Sequence, residues 1–165
     1  MQLPSLKKKY LKYESYKEQT LEDIFLPEQL ENAIRLEASV LESGMLINEG
    51  KNTFRWKPLP QEAQFAPIFA FHLKDLNGDG QKDILLAGNF FRAKPEVGSY
   101  NGSFGLVLAA KGKGEYVVMQ PQESGFFVRG EVRQIVPVRV GGEELLVLAM
   151  NNGQARVFGL KQKEQ

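Results

Sequence analysis

Residues 75–83 read Asp-Leu-Asn-Gly-Asp-Gly-Gln-Lys-Asp, a D-x-N-x-D-G-x-x-D pattern. Asp75, Asn77 and Asp79 stand at loop positions one, three and five, where a tight loop aims alternate side chains at one centre. Gly80 at position six permits the sharp turn. Gln81 at position seven offers a backbone carbonyl, and Asp83 at position nine a further carboxylate. Oxygen donors in this number suit Ca²⁺ better than Mg²⁺, which keeps more of its water. Three Asp so close together repel one another, and a divalent cation removes that repulsion. The bare alternative is an Asx-rich turn without an ion, because Asn-Gly and Asp-Gly favour turns unaided. The five spaced elements together favour the metal. Protein oxygens fill the pattern and leave little coordination for a substrate, so the expected ion is a staple and not a catalyst. The loop is not an EF-hand: position twelve is Leu86, where that loop needs a bidentate Glu. Its flanks, Phe-Ala-Phe-His-Leu at 69–73 and Ile-Leu-Leu-Ala-Gly at 84–88, are β runs.

Composition removes most other chemistry. The chain of 165 residues has no Cys and one His, His72, so thiol nucleophiles, disulfides and multi-His zinc sites are excluded. Lys and Arg number 21 against 20 Asp and Glu, a formal net charge of +1 that argues against a dedicated nucleic-acid binder. Apolar runs are too short to span a bilayer. Residues 1–12 carry charge but no apolar h-region, so no signal peptide is read there.

Two textures divide the elements that must position the loop. Residues 20–23, Thr-Leu-Glu-Asp, have capping-box spacing. Pro27 suits a first helical position, and Leu30, Ala33 and Ile34 make a helical stripe through 27–38. Upstream, Tyr10, Tyr13 and Tyr16 recur every third residue among the lysines of 7–16. That pattern suits either base stacking or a solvated helix, and the second is favoured because no other basic cluster supports the first. Beyond Val40, short apolar runs alternate with Gly, Asn and Pro turns, an all-β signature. Strands are expected at 44–48, 53–57, 68–73, 84–89, 104–110, 115–119, 131–138, 144–150 and 155–159. An internal repeat links them. PQEAQF at 60–65 matches PQESGF at 121–126, and LAGN at 86–89 matches LAMN at 148–151. The repeat length, with four strands per unit, is that of a β-propeller blade. The expected fold is mainly β: a helical segment at 1–39, a four-stranded blade-like repeat with the calcium loop at 40–100, and a second without it at 101–165.

The loop and its continuation ILLAGN at 84–89 resemble the FG-GAP/VCBS repeat, a calcium-clipped propeller blade. More narrowly, LPQEAQFAP at 59–67, GNFFRAKPEVGSY at 88–100 and SGFFVRGEVR at 124–133 resemble the carboxy-terminal region of large bacterial, Bacteroidetes-type VCBS-repeat proteins similar to cartilage-acidic-protein-like chains. The resemblance implies calcium binding, a parent propeller whose remaining blades lie in a longer chain, and an extracytoplasmic location. It supplies no activity. The second repeat has Val-Arg-Val-Gly-Gly-Glu-Glu at 138–144 where the loop would be, so only Asp75, Asn77, Asp79, Gln81 and Asp83 inherit a ligand role.

Other residues are weighed against plainer readings. His72, between Phe69 and Phe71 and the loop, reads as a partly exposed strand residue before a ligand or catalyst. Phe54 and Trp56 suit a sugar-stacking platform or, more simply, cross-strand packing. Residues 92–103 form a long polar link, functional or only connecting. Arg129, Glu131 and Arg133 suit an ion-pair ladder before a ligand site. The leading function is a calcium-stabilised, non-catalytic module that binds a protein or a carbohydrate. The alternative is a polysaccharide-active enzyme of lyase or glycosidase type, for which Glu96, Glu123 and Glu131 are the available acids.

Overall fold

Left-handed backbone at Gly, Asn and Lys cuts the chain beyond residue 43 into short strands. The structure, a computed structural model, describes residues 4–160. The outermost residues of the expected first and last segments, 1–3 and 161–165, lie outside the described residues. The chain divides into two compact units, Met1–Leu41 and Glu42–Gln165.

Among the described residues the first unit holds three short α-helices, α1 (Pro4–Lys9), α2 (Leu21–Ile24) and α3 (Pro27–Glu31), and a 3-10 turn at Tyr13–Ser15. The Asp23 carboxylate accepts from the Thr20 N–H at 2.9 Å and from its hydroxyl at 2.8 Å, fixing the start of α2. The helix expected through 27–38 stops at Glu31, and Ile34 is 88% exposed. Asn32 turns its side-chain amide back onto the Glu28 carbonyl at 3.0 Å, and a stripe with nothing to bury against does not extend so short a helix. Tyr10 and Tyr16 meet edge to face at 5.6 Å, and the Tyr10 hydroxyl donates to Gln19.

Among the described residues the second unit carries nine strands: β1 (Gly44–Gly50), β2 (Thr53–Pro58), β3 (Ile68–Lys74), β4 (Asp83–Gly88), β5 (Leu106–Gly112), β6 (Glu115–Met119), β7 (Val132–Val140), β8 (Glu143–Met150) and β9 (Arg156–Gly159). With 39% strand against 17% helix, the fold is mainly β. The strands form three antiparallel sheets, β1-β2, β3-β4-β5-β6 and β7-β8-β9. Among the described residues these close neither a barrel nor a propeller.

The grouping corrects the expectation of two four-stranded units meeting at 100 and 101. The four-stranded sheet takes β3 and β4 from one side of that boundary and β5 and β6 from the other. The reason lies in β4. Every residue from Asp83 to Gly88 is buried, and the strand is paired on both edges, with β3 and with β5. Hairpin β1-β2 is left as a sheet of its own.

The repeat runs further than the two motifs that announced it. Gly44–Gly50 and Leu106–Gly112 lie 62 residues apart and are equally long. Register shifts fall at Asn48/Gly50 and again at Ala110/Gly112. The turns that follow, Gly50-Lys51-Asn52 and Gly112-Lys113-Gly114, each put three consecutive residues at positive φ. The repeated Pro-Gln-Glu connection makes one helical turn in both copies, a 3-10 turn at Gln61–Gln64 and α4 at Pro121–Ser124.

Two apolar clusters lie on the two faces of the four-stranded sheet. Ile84, Leu86 and Leu108 on one face pack with Ala63, Met45 and Leu59. Ala70, Leu85, Ala87 and Val107 on the other pack with Ile135, Leu146 and Leu148 of the third sheet. Side chains alternate between faces, so one strand serves both clusters.

Candidate metal centre

The loop at 75–82 leaves β3 and returns as β4. Gly78 and Gly80 take φ of +81° and +83°, the left-handed turns that glycine adopts without strain. Side chains close the loop on itself. The Asp75 carboxylate accepts the Gly78 N–H at 2.7 Å through Oδ1 and the Gly80 N–H at 2.8 Å through Oδ2. Asn77 Oδ1 accepts the Asp79 N–H at 2.8 Å, and Asp79 Oδ1 accepts the Gln81 N–H at 2.8 Å. The Asn77 amide donates to Asp79 Oδ2 at 3.1 Å. Hydrogen bonding from Gly80, opposed by desolvation and aided by Gly78, holds the Asp75 carboxyl below the usual carboxylate range.

Four of the five expected ligands, Asp75, Asn77, Asp79 and Gln81, therefore share one hydrogen-bonded loop. Asp83 has a different place. It is fully buried, and its carboxylate spans two elements: Oδ2 accepts the Leu76 N–H at 2.9 Å, and Oδ1 accepts the Ala110 N–H of β5 at 2.8 Å. It ties the base of the loop to the middle of the sheet. Among the described residues no three of His, Asp and Glu gather as a group that could hold an ion. The donor chemistry nevertheless fits a hard cation. Each carboxylate oxygen of Asp75 and Asp83 takes one loop or strand amide and keeps a second lone-pair position. Asp75, Asp79 and Asp83 take part in none of the salt bridges among the described residues. An ion at the loop would meet oxygens alone, from Asp75, Asn77 and Asp79, while Asp83 sits at the base of the loop on the Leu76 and Ala110 amides.

The other weighed residues fall elsewhere. His72 pairs with Leu85 across β3-β4, and its Nε2 is buried without a partner. Burial lowers its pKa, Glu144 opposes the shift and Lys74 adds to it. Trp56 stands opposite Leu46 and donates to Glu42 at 3.2 Å. Within the polar link, Phe90 and Tyr100 exchange backbone hydrogen bonds of 2.8 Å and close residues 91–99 into a loop.

Glu131 precedes β7 and is 3% exposed. Oε1 accepts the Phe91 N–H at 2.9 Å and the Arg133 guanidinium at 2.9 Å, and Oε2 accepts the Asn151 amide at 2.8 Å. Arg133 also covers the Phe69 ring at 4.2 Å and donates to the Asn89 carbonyl. Asn89 itself is buried, at φ +77°, and donates to the carbonyls of Ser103 and Gly130. The repeated Asn89 and Asn151 thus end equivalent strands and tie the sheet ends together. Arg129 lies away from this network, 5.7 Å from each of the stacked Phe104 and Phe127 rings. Glu123 accepts the Gln120 N–H at 3.3 Å and caps α4, while Glu96 is exposed.

The Phe91 amide, against the opposing effect of burial and with help from Asn151 and Arg133, holds the Glu131 carboxyl below its ordinary range. A depressed folded value means stability present above the unfolded value, about 4.5, and lost as pH falls through the folded one. Glu131→Gln is expected to lower the melting temperature at neutral pH and to flatten its decline below about pH 4.5. A variant whose acid limb matches the parent's would remove Glu131 from that decline.

Compared with protein-family models, curated proteins and solved structures, the chain matches none.

Proposed function

We propose that this chain is a calcium-stabilised, propeller-type β-repeat module that binds a protein or a glycan and does no chemistry. The observation that supports this most is the 75–83 loop, where three oxygen-bearing side chains are ordered by their own backbone amides between two strands. Such order lowers the entropy lost when an ion binds. Two of the three acids weighed for polysaccharide cleavage are spent on other work, Glu131 on three donors and Glu123 on a helix cap, and the third, Glu96, is exposed, away from them in sequence. On this reading the module acts outside the cytoplasm, beside further blades of a longer chain, and calcium there fixes the geometry of a binding surface.

Isothermal titration with CaCl₂ tests the metal half of the proposal. One site is expected, with a dissociation constant of about 10⁻⁴–10⁻³ M, the range of extracellular modules. Asp79→Ala should abolish the heat and leave the circular dichroism spectrum of the fold unchanged, because Asp79 contacts only its own loop. Unchanged titration of Asp79→Ala would overturn the ligand assignment. A glycan array read for both capture and product release tests the other half. Capture without product supports the module, and released product supports an enzyme.

A further inference from the structure

The second and third sheets meet along a seam that holds the one histidine of the chain. Alternation puts Ala70, His72 and Lys74 on one face of β3, opposite Ala87, Leu85 and Asp83 of β4. Ala70, Leu85 and Ala87 belong to the apolar cluster shared with Ile135, Leu146 and Leu148. On the facing sheet the same alternation carries Leu148 and Leu146 on to Glu144, with Ile135, Pro137 and Arg139 opposite them on β7. At that end of the seam Lys74 bridges the two sheets to Glu144 at 2.6 Å, both side chains being largely buried. Along β3, His72 stands between this ion pair and the apolar cluster.

His72 Nε2 is buried and has no hydrogen-bond partner among the described residues. A neutral imidazole tolerates such a place, because one ring nitrogen can stay bare. An imidazolium carries N–H on both nitrogens and would bring a charged donor into it. The charges around the seam are already engaged. Glu144 is held by Lys74 and also feels Arg139. The Asp83 carboxylate accepts the Leu76 and Ala110 amides. Arg133, toward the other end of β3, covers Phe69 and pairs with Glu131. To accept from a charged His72, Glu144 would have to loosen its hold on Lys74, the pair that joins the two sheets.

We propose that this seam is a proton-sensitive joint within the second unit: neutral His72 lets the third sheet pack closely on the second, and its protonation loosens that contact while the strands of each sheet stay paired. The joint needs no ion in the 75–83 loop. Burial lowers the His72 pKa, with Lys74 adding to the shift and Glu144 opposing it. A lowered folded value means stability present above the unfolded value, about 6.5, and lost as pH falls through the folded one. The loss begins well above the range in which Glu131 acts, so the two are read apart.

Because His72 is the sole histidine, the untagged full chain gives one set of imidazole proton signals, and titrating it by NMR in EDTA reads the midpoint directly. A midpoint below 6.5 is expected, and one at or above it would overturn the proposal. Hydrogen exchange in EDTA locates the effect. From about pH 7.5 to about pH 5.5, protection factors of β7 and β8 amides should fall by about 3–10-fold. Those of β1-β2, packed on the other face of the second sheet, should hold. His72→Leu and His72→Gln, both uncharged throughout, should each abolish the fall, even where one of them lowers the melting temperature. Protection that holds in the parent, that falls alike in β1-β2, or that falls as far in both variants as in the parent would each overturn the proposal.

Discussion

Asp83→Asn is expected to destabilise the second unit by about 3 kcal/mol, lowering its melting temperature by about 10 °C. The carboxylate accepts two backbone amides in a fully buried place. Asparagine offers one oxygen and one NH₂, so either Leu76 or Ala110 would face a donor instead of an acceptor. A hydrogen bond to a charged acceptor contributes about 1.5–3 kcal/mol, and an orphaned buried N–H costs about 1–3 kcal/mol. The loss should appear in chelator and in calcium alike. A chemical denaturation midpoint equal to the parent's would show that Asp83 does not clamp the loop to β5. A loss seen only with calcium would make Asp83 a ligand and nothing more.

Added calcium is expected to give the second large effect. An ion that binds the folded loop and not the unfolded chain shifts folding by mass action, by about 2.7 kcal/mol at 100 times its dissociation constant. Thermal melts of the parent in chelator and at increasing calcium should differ by about 8–10 °C at that ratio. Magnesium should do less, since it keeps its water. Asp79→Ala should melt at one temperature whatever the calcium concentration. Identical melts of the parent with and without calcium would sink the structural ion.

The alternation of apolar runs and turn residues made the nine strands legible before any coordinates, because Gly and Asn at positive φ fix where a strand must end. Which strands share a sheet was not legible. The unbroken run Ile84-Leu85-Leu86-Ala87 marks a strand covered on both faces, but no local pattern says that its second edge is filled by β5 from beyond residues 92–103. The loop's turn chemistry was legible from Asn-Gly and Asp-Gly. The inward setting of Asp83 was missed, although a signal existed: it stands two residues before Leu85, and alternation puts both on one face of a buried strand. Asn89 and Asn151 were visible as a repeat. Their task, holding the ends of neighbouring sheets, depends on Glu131 and Gly130, distant in sequence. The short α3 was misjudged because helical spacing records where apolar residues fall and not whether anything covers them.

Sandwiching one sheet between two others also sets the order in which the molecule comes apart. Within the second unit, among the described residues, the first and third sheets each pack on one sheet, whereas β4 is enclosed by β3, β5 and the packing on both faces. Amide protons of β1-β2 and β9 can meet solvent through openings that leave the rest intact. Those of Leu85 and Leu86 are released only when the middle layer is stripped. The second unit thus opens from its outer layers inward, and the 75–82 loop, whose base is pinned to β5 through Asp83, belongs to the last layer to yield.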